Sequence, residues 1–278
     1  MKSLRVCITA AIVITAVSFT VISCKREQGQ VLNMATTTST DNTGLLDYLK
    51  PIILSDTGIN LHWVAVGTGR ALELGKNCDV DILLVHAPAA EKKYIEAGYG
   101  IDRRKVMFND FIIIGPKTDP AGIKGKSASG ALSTIALKKA FFASRGDDSG
   151  THKKELFLWK EAGISSPDKQ PWYIQTGQGM INTINIANER NGYTLTDRAT
   201  YIKYASNLND NPPLIILVES DSTLKNQYSI ITVNNVKCPK TNTALAKKFT
   251  DWIVSPKAQK LLGDYKLLGK QLYIPNAE

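Results

Sequence analysis

The sequence is poor in the residues that build metal centres. Its 278 residues include four cysteines and three histidines, and no Cys-x-x-Cys pair or Cys/His spacing typical of a zinc site occurs. Only one long apolar run is present and the mean hydropathy is −0.12, which excludes a membrane protein with several spanning helices. With 43% hydrophobic and 21% charged residues, a collagen-like, low-complexity or wholly disordered chain is excluded too. We therefore expect a globular protein without a metal ion or cofactor.

Positive charge is in excess but is not concentrated. The chain has 34 Lys and Arg residues against 25 Asp and Glu residues, a net charge of +9. Its basic runs are short, such as 103–105, and no basic stripe interleaved with aromatic residues is present, so we expect no nucleic-acid partner. A basic surface suits an anionic ligand or an anionic membrane, although each run alone is explained by a solvated basic face.

The first 23 residues have the pattern of a secretory signal peptide. Lys2 and Arg5 precede an uncharged apolar stretch over 6–22, which is at the short end of the ~17–25 residues that a membrane span needs. The stretch ends in Val-Ile-Ser-Cys, which resembles the lipobox of bacterial lipoproteins, where cleavage leaves a lipidated cysteine. We expect lipidation at Cys24, a lipidated tether over 24–30 and an extracytoplasmic protein anchored to the bacterial membrane. The alternative is plain cleavage near Ser23.

Short apolar runs alternate with helical patterns along the remaining chain. This alternation predicts an α/β fold with mostly parallel sheets. The spacing of apolar residues indicates a helix over 44–55, kinked or divided at Pro51, and another over 195–204.

Two strongly apolar runs, 111–114 and 228–233, flank a middle block of the chain. We interpret them as crossovers between two α/β domains, because the length suits two such domains better than one. The first lobe is then 31–112 plus 229–278, and the second lobe is 113–228.

Four predicted strands are each followed by a turn of small hydroxyl residues and glycine, and then by a helix. These turns are at 35–44, 66–70, 144–151 and 175–179. The first turn of a helix has free backbone N–H groups and a positive dipole end, and glycine lets a ligand approach the backbone. Such turns can wrap a small oxyanion beyond the carboxyl ends of the strands. Since Ser, Thr, Asp and Gly are also the usual helix-capping residues, each turn alone could be only a cap.

Charged residues near these turns admit more than one role. Arg145 is the natural partner of an oxyanion, because its planar guanidinium donates two parallel hydrogen bonds. Arg70 could instead pair with Glu73. Asp147 and Asp148 could accept the proton of a ligand such as hydrogen phosphate, but we favour a structural role in which they hold Arg145 or cap the next helix.

The remaining chemistry-bearing residues give weaker signals. Ser149 and His152 invite a serine-hydrolase hypothesis, but a spacing of three residues at a helix start is poor geometry for a Ser–His pair. His86 follows a strand and is interpreted as a structural histidine. Cys78 and Cys238 are 160 residues apart, so their pairing stays open.

Several stretches resemble the tungstate-binding family of ABC-transporter solute-binding lipoproteins. The similar stretches are 35–49, 64–72, 81–91 and 142–155. They include Thr-Thr-Thr-Ser at 36–39 and Ser-Arg-Gly-Asp-Asp-Ser-Gly-Thr-His at 144–152. The resemblance implies a two-lobed periplasmic-binding-protein-like fold of type II, with the oxyanion in a cleft between lobes joined by two crossover strands. It also implies docking on an ABC permease, no enzymatic activity and a monomer.

The family's ligand-binding positions fall on residues of the turns described above. They are Thr36, Thr37, Thr38, Ser39, Thr68, Arg145, Ser149, Gly150 and Thr151. The ligand implied is tungstate, with molybdate as a second candidate, since both are unprotonated dianions that need donors only. Phosphate or sulfate on the same fold is the alternative, and a secreted serine hydrolase using Ser149 is a further one.

Overall fold

The computed structural model describes residues 29–277. The predicted signal peptide, Cys24 and most of the tether lie outside the described residues.

Twelve strands and ten α-helices alternate along the described chain, which confirms the α/β class. The strands are β1 Gln30–Thr37, β2 Ile59–Val66, β3 Ile82–Val85, β4 Gly100–Pro116, β5 Phe142–Ser144, β6 Tyr173–Gln175, β7 Thr194–Asp197, β8 Leu214–Val218, β9 Lys225–Val233, β10 Lys266–Leu267, β11 Lys270–Gln271 and β12 Ile274–Pro275. The helices are α1 Thr38–Asp41, α2 Leu45–Thr57, α3 Thr68–Lys76, α4 Pro88–Glu96, α5 Ala128–Lys138, α6 Gly150–Glu161, α7 Met180–Glu189, α8 Arg198–Ser206, α9 Thr243–Ile253 and α10 Pro256–Asp264. Short 3₁₀ helices cover Pro167–Lys169 and Ser222–Leu224.

The main sheet is mixed rather than mostly parallel, which corrects the sequence-based expectation. Its order is β12-β4-β9-β3-β1-β2, and β7 and β8 also pair with β4. The pairs β1–β2 and β1–β3 are parallel, whereas β3–β9 and every pair of β4 are antiparallel. The physical reason is that the chain leaves along β4 and returns along β9, so these two strands lie side by side in opposite directions.

Strand β4 links two hydrophobic cores. Its first part pairs with β9 and ends that pairing at Asp110, and its second part pairs with β7 and β8 from Phe111 onward. Val106 and Met107 lie in a core with α2, α9 and α10, whereas Phe111 and Ile113 lie in a core with α5 and α6. The long strand therefore contributes side chains to both cores.

Helix α2 runs without interruption through Pro51, so the expected division there is wrong. Proline removes one backbone hydrogen bond and costs roughly 3 kcal/mol inside a helix. The helix buries one face through Leu45, Leu46, Leu49 and Ile53, and each such side chain contributes about 1.5–3 kcal/mol. The burial outweighs the cost, and Pro51 itself faces solvent.

The helix expected over 195–204 is wrong at its start, because strand β7 ends only at Asp197. Thr194 and Thr196 are β-branched and favour an extended backbone. The Asp197 side chain accepts the backbone N–H of Thr200 at 2.9 Å, and this N-cap starts α8 at Arg198. The chain therefore has a fifth strand-to-helix turn.

Cys78 and Cys238 form a disulfide, which settles the pairing left open by the sequence. It joins the end of α3 to the loop that follows β9. Between residues 29 and 277, no helix has the length and apolar character needed to cross a bilayer.

Candidate binding site: a hydroxyl-lined cleft

The strand-to-helix turns converge on a cavity of about 440 Å³. It lies at the carboxyl ends of β1, β2, β5 and β7, where ligands of α/β proteins usually bind. Seven of the nine residues predicted to bind the ligand line it, namely Thr37, Thr38, Ser39, Thr68, Arg145, Gly150 and Thr151. Thr36 and Ser149 are not in the lining.

The first turn presents a cluster of hydroxyl groups. Strand β1 ends at Thr37, whose Oγ1 lies 3.1 Å from Ser39 Oγ and 2.7 Å from Thr40 Oγ1. The backbone N–H of Thr40 donates to the same Thr37 Oγ1, so Thr37 also caps α1. Thr36 points the other way, because its Oγ1 donates to the carbonyl of Leu84 at 2.8 Å in the buried sheet.

His86 lies within hydrogen-bonding distance of this hydroxyl cluster and also lines the cavity. Its Nε2 lies 3.0 Å from Thr37 Oγ1 and 3.1 Å from Ser39 Oγ, and its Nδ1 lies 2.9 Å from Asn226 Oδ1. Burial lowers the pKa of His86, although the hydrogen bond to Asn226 opposes this shift, so the ring is neutral at pH 7. A neutral ring that donates from Nδ1 accepts at Nε2, which fixes the orientation of the hydroxyl groups above it.

Arg145 follows β5 and lines the cavity. One guanidinium nitrogen, Nη2, donates to Asp147, and the side chain is 22% exposed. Its Nε is buried and has no hydrogen-bond partner in the described part of the chain. An unpaired buried donor costs free energy, so an anion that accepted from Nε would relieve this cost.

Asp147 and Asp148 are both held by local contacts and neither lines the cavity. Burial alone would raise the pKa of Asp147, but hydrogen bonds from Ser149 and the charge of Arg145 outweigh it and lower the pKa. Asp148 pairs with Lys153 at 3.2 Å. Asp147 thus holds Arg145, as favoured from the sequence, whereas Asp148 neither contacts Arg145 nor caps α6, whose N-cap is Ser149.

The third turn places Gly150 and Thr151 in the lining, while Ser149 caps α6. Ser149 Oγ accepts the backbone N–H of His152 at 3.3 Å, and the His152 ring accepts the backbone N–H of Asp148 through Nδ1 at 3.1 Å. The hydroxyl of Ser149 and the ring of His152 are therefore not bonded to each other. The Ser–His pair that a hydrolase needs is not assembled.

The second and fourth turns contribute differently. Gly67 and Thr68 line the cavity, whereas Arg70 is 58% exposed and pairs with Glu73 at 3.1 Å, the surface role considered from the sequence. The fourth turn is absent from the lining, but Met180 and Ile181 at the start of α7 close that side.

Sequence reasoning missed two groups of lining residues. The fifth turn supplies Asp197, Ala199, Thr200 and Lys203, and the strands β4 and β9 supply Asn109, Phe111, Asn226 and Tyr228. The signal for the first group was the hydroxyl-rich Thr-Leu-Thr-Asp before α8, which was assigned to a helix. The second group had no local signal, because its strands were interpreted as apolar crossovers. Asn42 and Thr43 at the end of α1 complete the polar side.

The described residues include no group of three or more His, Cys, Asp or Glu side chains that could hold a metal ion. The site instead offers hydroxyl groups, backbone N–H groups and two cationic side chains, Arg145 and Lys203. This donor set suits an oxyanion that carries no proton of its own.

Comparison with known proteins agrees with this chemistry. The PBP superfamily domain matches residues 25–257. The tungstate-binding protein TupA of Campylobacter jejuni is 50% identical over 240 residues, which cover 86% of this chain and 89% of that protein. The chain belongs to the TupA family of the PBP superfamily. The resemblance drawn from the sequence is thereby confirmed.

Two solved structures of similar sequence share the fold. The tungstate-binding protein TupA from Desulfovibrio alaskensis G20 has a TM-score of 0.88 at 61% identity, covering 90% of this chain and 100% of that chain. The tungstate ABC transporter structure from Geobacter sulfurreducens has a TM-score of 0.73 at 46% identity, covering 84% of this chain and 98% of that chain. The expected two-lobed, periplasmic-binding-protein-like α/β fold with a cleft between the lobes is confirmed.

Proposed function

We propose that the protein is an extracytoplasmic solute-binding protein that captures tungstate and delivers it to an ABC permease. The observation that carries this proposal is that Arg145, whose buried Nε has no partner among residues 29–277, lines a cleft of hydroxyl groups. Membership of a family whose named relatives bind tungstate supports the choice of ligand.

We propose that the ligand-binding residues divide into two roles. Thr38, Ser39, Thr68 and Thr151 donate hydroxyl hydrogens, Gly150 donates its backbone N–H, and Arg145 supplies charge. Thr37 lines the site and orients the hydroxyl of Ser39, because its own hydroxyl lies 3.0 Å from the acceptor Nε2 of His86. Thr36 and Ser149 lie outside the lining, and they hold the first and third turns in place through Leu84 and His152.

The lobe boundaries proposed are 31–112 plus 229–278 for the first lobe and 113–228 for the second. The change of partners along β4, from β9 to β7 and β8 between Asp110 and Phe111, supports the first boundary. Bending near this point would close the cleft over the anion.

Ligand charge separates the candidate oxyanions in part. Tungstate, molybdate and sulfate at neutral pH only accept hydrogen bonds, whereas hydrogen phosphate also donates one. Asp197 is the one carboxylate among the described lining residues, and both of its oxygens already accept from Thr200, at 2.9 and 2.6 Å. An acceptor engaged in this way favours an unprotonated ligand, and the cavity accommodates molybdate on the same grounds.

The proposed location is outside the cytoplasm, with a lipid anchor at Cys24 and a monomeric binding domain. The signal-like stretch over 1–23 and the lipobox support the anchor. The disulfide between Cys78 and Cys238 supports an oxidising compartment. We propose no catalytic activity, since the hydroxyl of Ser149 is used as a helix cap rather than bonded to a histidine ring.

Calorimetric titration of residues 25–278 with tungstate, molybdate, phosphate and sulfate tests the proposal. We expect tight binding of one tungstate per chain and no measurable heat of binding with phosphate or sulfate. Phosphate binding in place of tungstate would keep the cleft and reassign the ligand, with Asp197 as the acceptor of its proton. No heat with any of the four ions would overturn the oxyanion function and leave the turns as helix caps.

A further inference from the structure

Lys203 joins two sides of the cleft. It lies on α8, is half-buried and lines the cavity. Its Nζ donates to the backbone carbonyl of Asn42 at 2.5 Å, at the end of α1. With the proposed lobe boundaries, α1 belongs to the first lobe and α8 to the second, so this hydrogen bond crosses the cleft.

The charge of Lys203 is not neutralised by a neighbouring acid. Among residues 29–277 its ammonium group has no carboxylate within ion-pair distance, whereas Arg145, the other cation of the lining, is paired with Asp147. A carbonyl oxygen uses one of the three N–H donors of the ammonium group. The group therefore has two further N–H donors, and no ion pair among these residues offsets its charge.

Helix α8 contacts both the cavity and the hydrophobic core that contains α2. Its N-terminal turn lines the cavity through Asp197, Ala199 and Thr200. Ala199 and Ile202 also pack in the same core as Leu45 and Leu46 of α2, the helix that follows α1. The helix that carries Lys203 thus contacts the first lobe both at the hydroxyl-rich turn and in the hydrophobic core behind it.

We propose that Lys203 is a positioning residue that fastens α8 to the end of α1 and so holds the cleft closed over the bound anion. This inference rests on the proposed oxyanion-binding function. Lys203 then determines how long the anion stays bound and does not determine which oxyanion is preferred. Its uncompensated charge favours closure over a dianion, because the positive potential at the cleft rises when the lobes meet.

A matched pair of substitutions tests the proposal in the protein with sodium tungstate as the probe. Lys203→Met removes the ammonium group and keeps an apolar stem. Lys270→Met is the control, because Lys270 pairs with Asp210 at 2.5 Å across the same lobe boundary but does not line the cavity. Lys203→Arg keeps a donor that can reach a carbonyl.

Affinity is measured by calorimetry and dissociation by stopped-flow tryptophan fluorescence, since Trp63 donates to Asp41 of α1 at 2.6 Å. We expect Lys203→Met to weaken tungstate binding about tenfold or more, mostly through faster dissociation. The ratio of tungstate to molybdate affinity stays unchanged. Lys270→Met and Lys203→Arg should remain within about threefold of the wild type. An effect of Lys203→Met no larger than that of Lys270→Met would overturn the proposal.

Small-angle X-ray scattering distinguishes a Lys203 that holds the two lobes together from a Lys203 that only attracts the anion by its charge. We expect the Lys203→Met variant to have a larger radius of gyration than the wild type, with and without tungstate. Identical scattering profiles in both states would overturn the proposal even if affinity falls. If the wild type does not bind tungstate, the proposed function fails, while the ligand-free comparison still decides whether Lys203 fastens the lobes.

Discussion

Two arginines that look alike in the sequence differ in what surrounds them. Arg145 and Arg70 each follow a strand and a glycine- or hydroxyl-rich turn. Among residues 29–277, Arg145 is 22% exposed and leaves a buried Nε unpaired, whereas Arg70 is 58% exposed and is paired with Glu73 on the surface. The buried donor has a free energy to gain from an anion, and the exposed one does not.

Arg145→Ala should therefore weaken tungstate binding far more than Arg70→Ala. A hydrogen bond to a charged group contributes about 1.5–3 kcal/mol, or roughly 10- to 150-fold in affinity, whereas a surface charge contributes less than about 1 kcal/mol. Removing Arg145 also leaves Asp147 without its partner, which adds repulsion toward a dianion. Calorimetric titration of both variants measures the difference, and equal losses would mean that the anion does not contact Arg145.

Glu155 is a second residue whose surroundings determine its chemistry. Its Oε1 accepts from the hydroxyl of Tyr173 at 2.6 Å and from Trp159 Nε1 at 3.1 Å inside the second core. Burial raises the pKa of Glu155 to about 7 from the ordinary value of 4.5, against the effect of these hydrogen bonds. The folded protein therefore retains a proton that the unfolded chain loses between about pH 4.5 and 7, so this group lowers stability as the pH rises through that window.

Glu155→Gln should flatten this dependence of stability on pH. The amide keeps an oxygen that accepts from Tyr173 and Trp159 but does not titrate. We expect equal free energies of unfolding at pH 4 and an advantage for the variant on the order of 1–3 kcal/mol at pH 8. Urea denaturation at both pH values measures this, with Glu161→Gln on the exposed side of the same helix as control. Parallel curves for Glu155→Gln and the wild type would show that Glu155 does not titrate in this range.

At the scale of secondary structure elements, local pattern predicted most of the fold but not its exceptions. The strands expected before the four turns are present as β1, β2, β5 and β6. Helix α2 crosses Pro51 because its buried leucines outweigh one lost hydrogen bond, and β7 replaces the start of a predicted helix because the Asp197 cap sets where α8 begins. Both errors have the same cause, which is that packing and capping outweigh the average tendency of a short stretch.

Pro51→Ala should stabilise the protein, because it restores a backbone N–H within α2 at an exposed position. The expected gain is about 1–3 kcal/mol, less than the full cost of a helix-interior proline because the alanine chain is more flexible when unfolded. Chemical denaturation measures the gain. A loss of stability would show that α2 needs the bend or the rigidity that proline provides.

The candidate site was predictable only where its residues are adjacent in sequence. The turns that supply Thr37, Thr38, Ser39 and Arg145 combine hydroxyl groups, glycine and charge within a few residues. The lining also includes Asn109, Asn226 and Lys203, because β4, β9 and α8 lie close together there. Contacts between elements that are distant in sequence cannot be predicted from a short stretch of residues.

At the scale of the whole molecule, four strand-to-helix turns, those that follow β1, β2, β5 and β7, contribute residues to the lining of one cleft. With the proposed lobe boundaries, the turns from β1 and β2 come from the first lobe and those from β5 and β7 come from the second, so neither lobe alone surrounds an anion. Anion binding, as proposed, therefore requires both lobes in the closed arrangement and is not provided by any single motif.

A crystal structure of the protein grown with tungstate, with diffraction collected at a tungsten absorption edge, tests this account most directly. We predict one strong anomalous peak in the cleft, within hydrogen-bonding reach of Arg145 Nε and of the hydroxyl groups at Thr37–Ser39 through the tungstate oxygens. A peak elsewhere on the molecule, or no peak at a saturating concentration of tungstate, would contradict it.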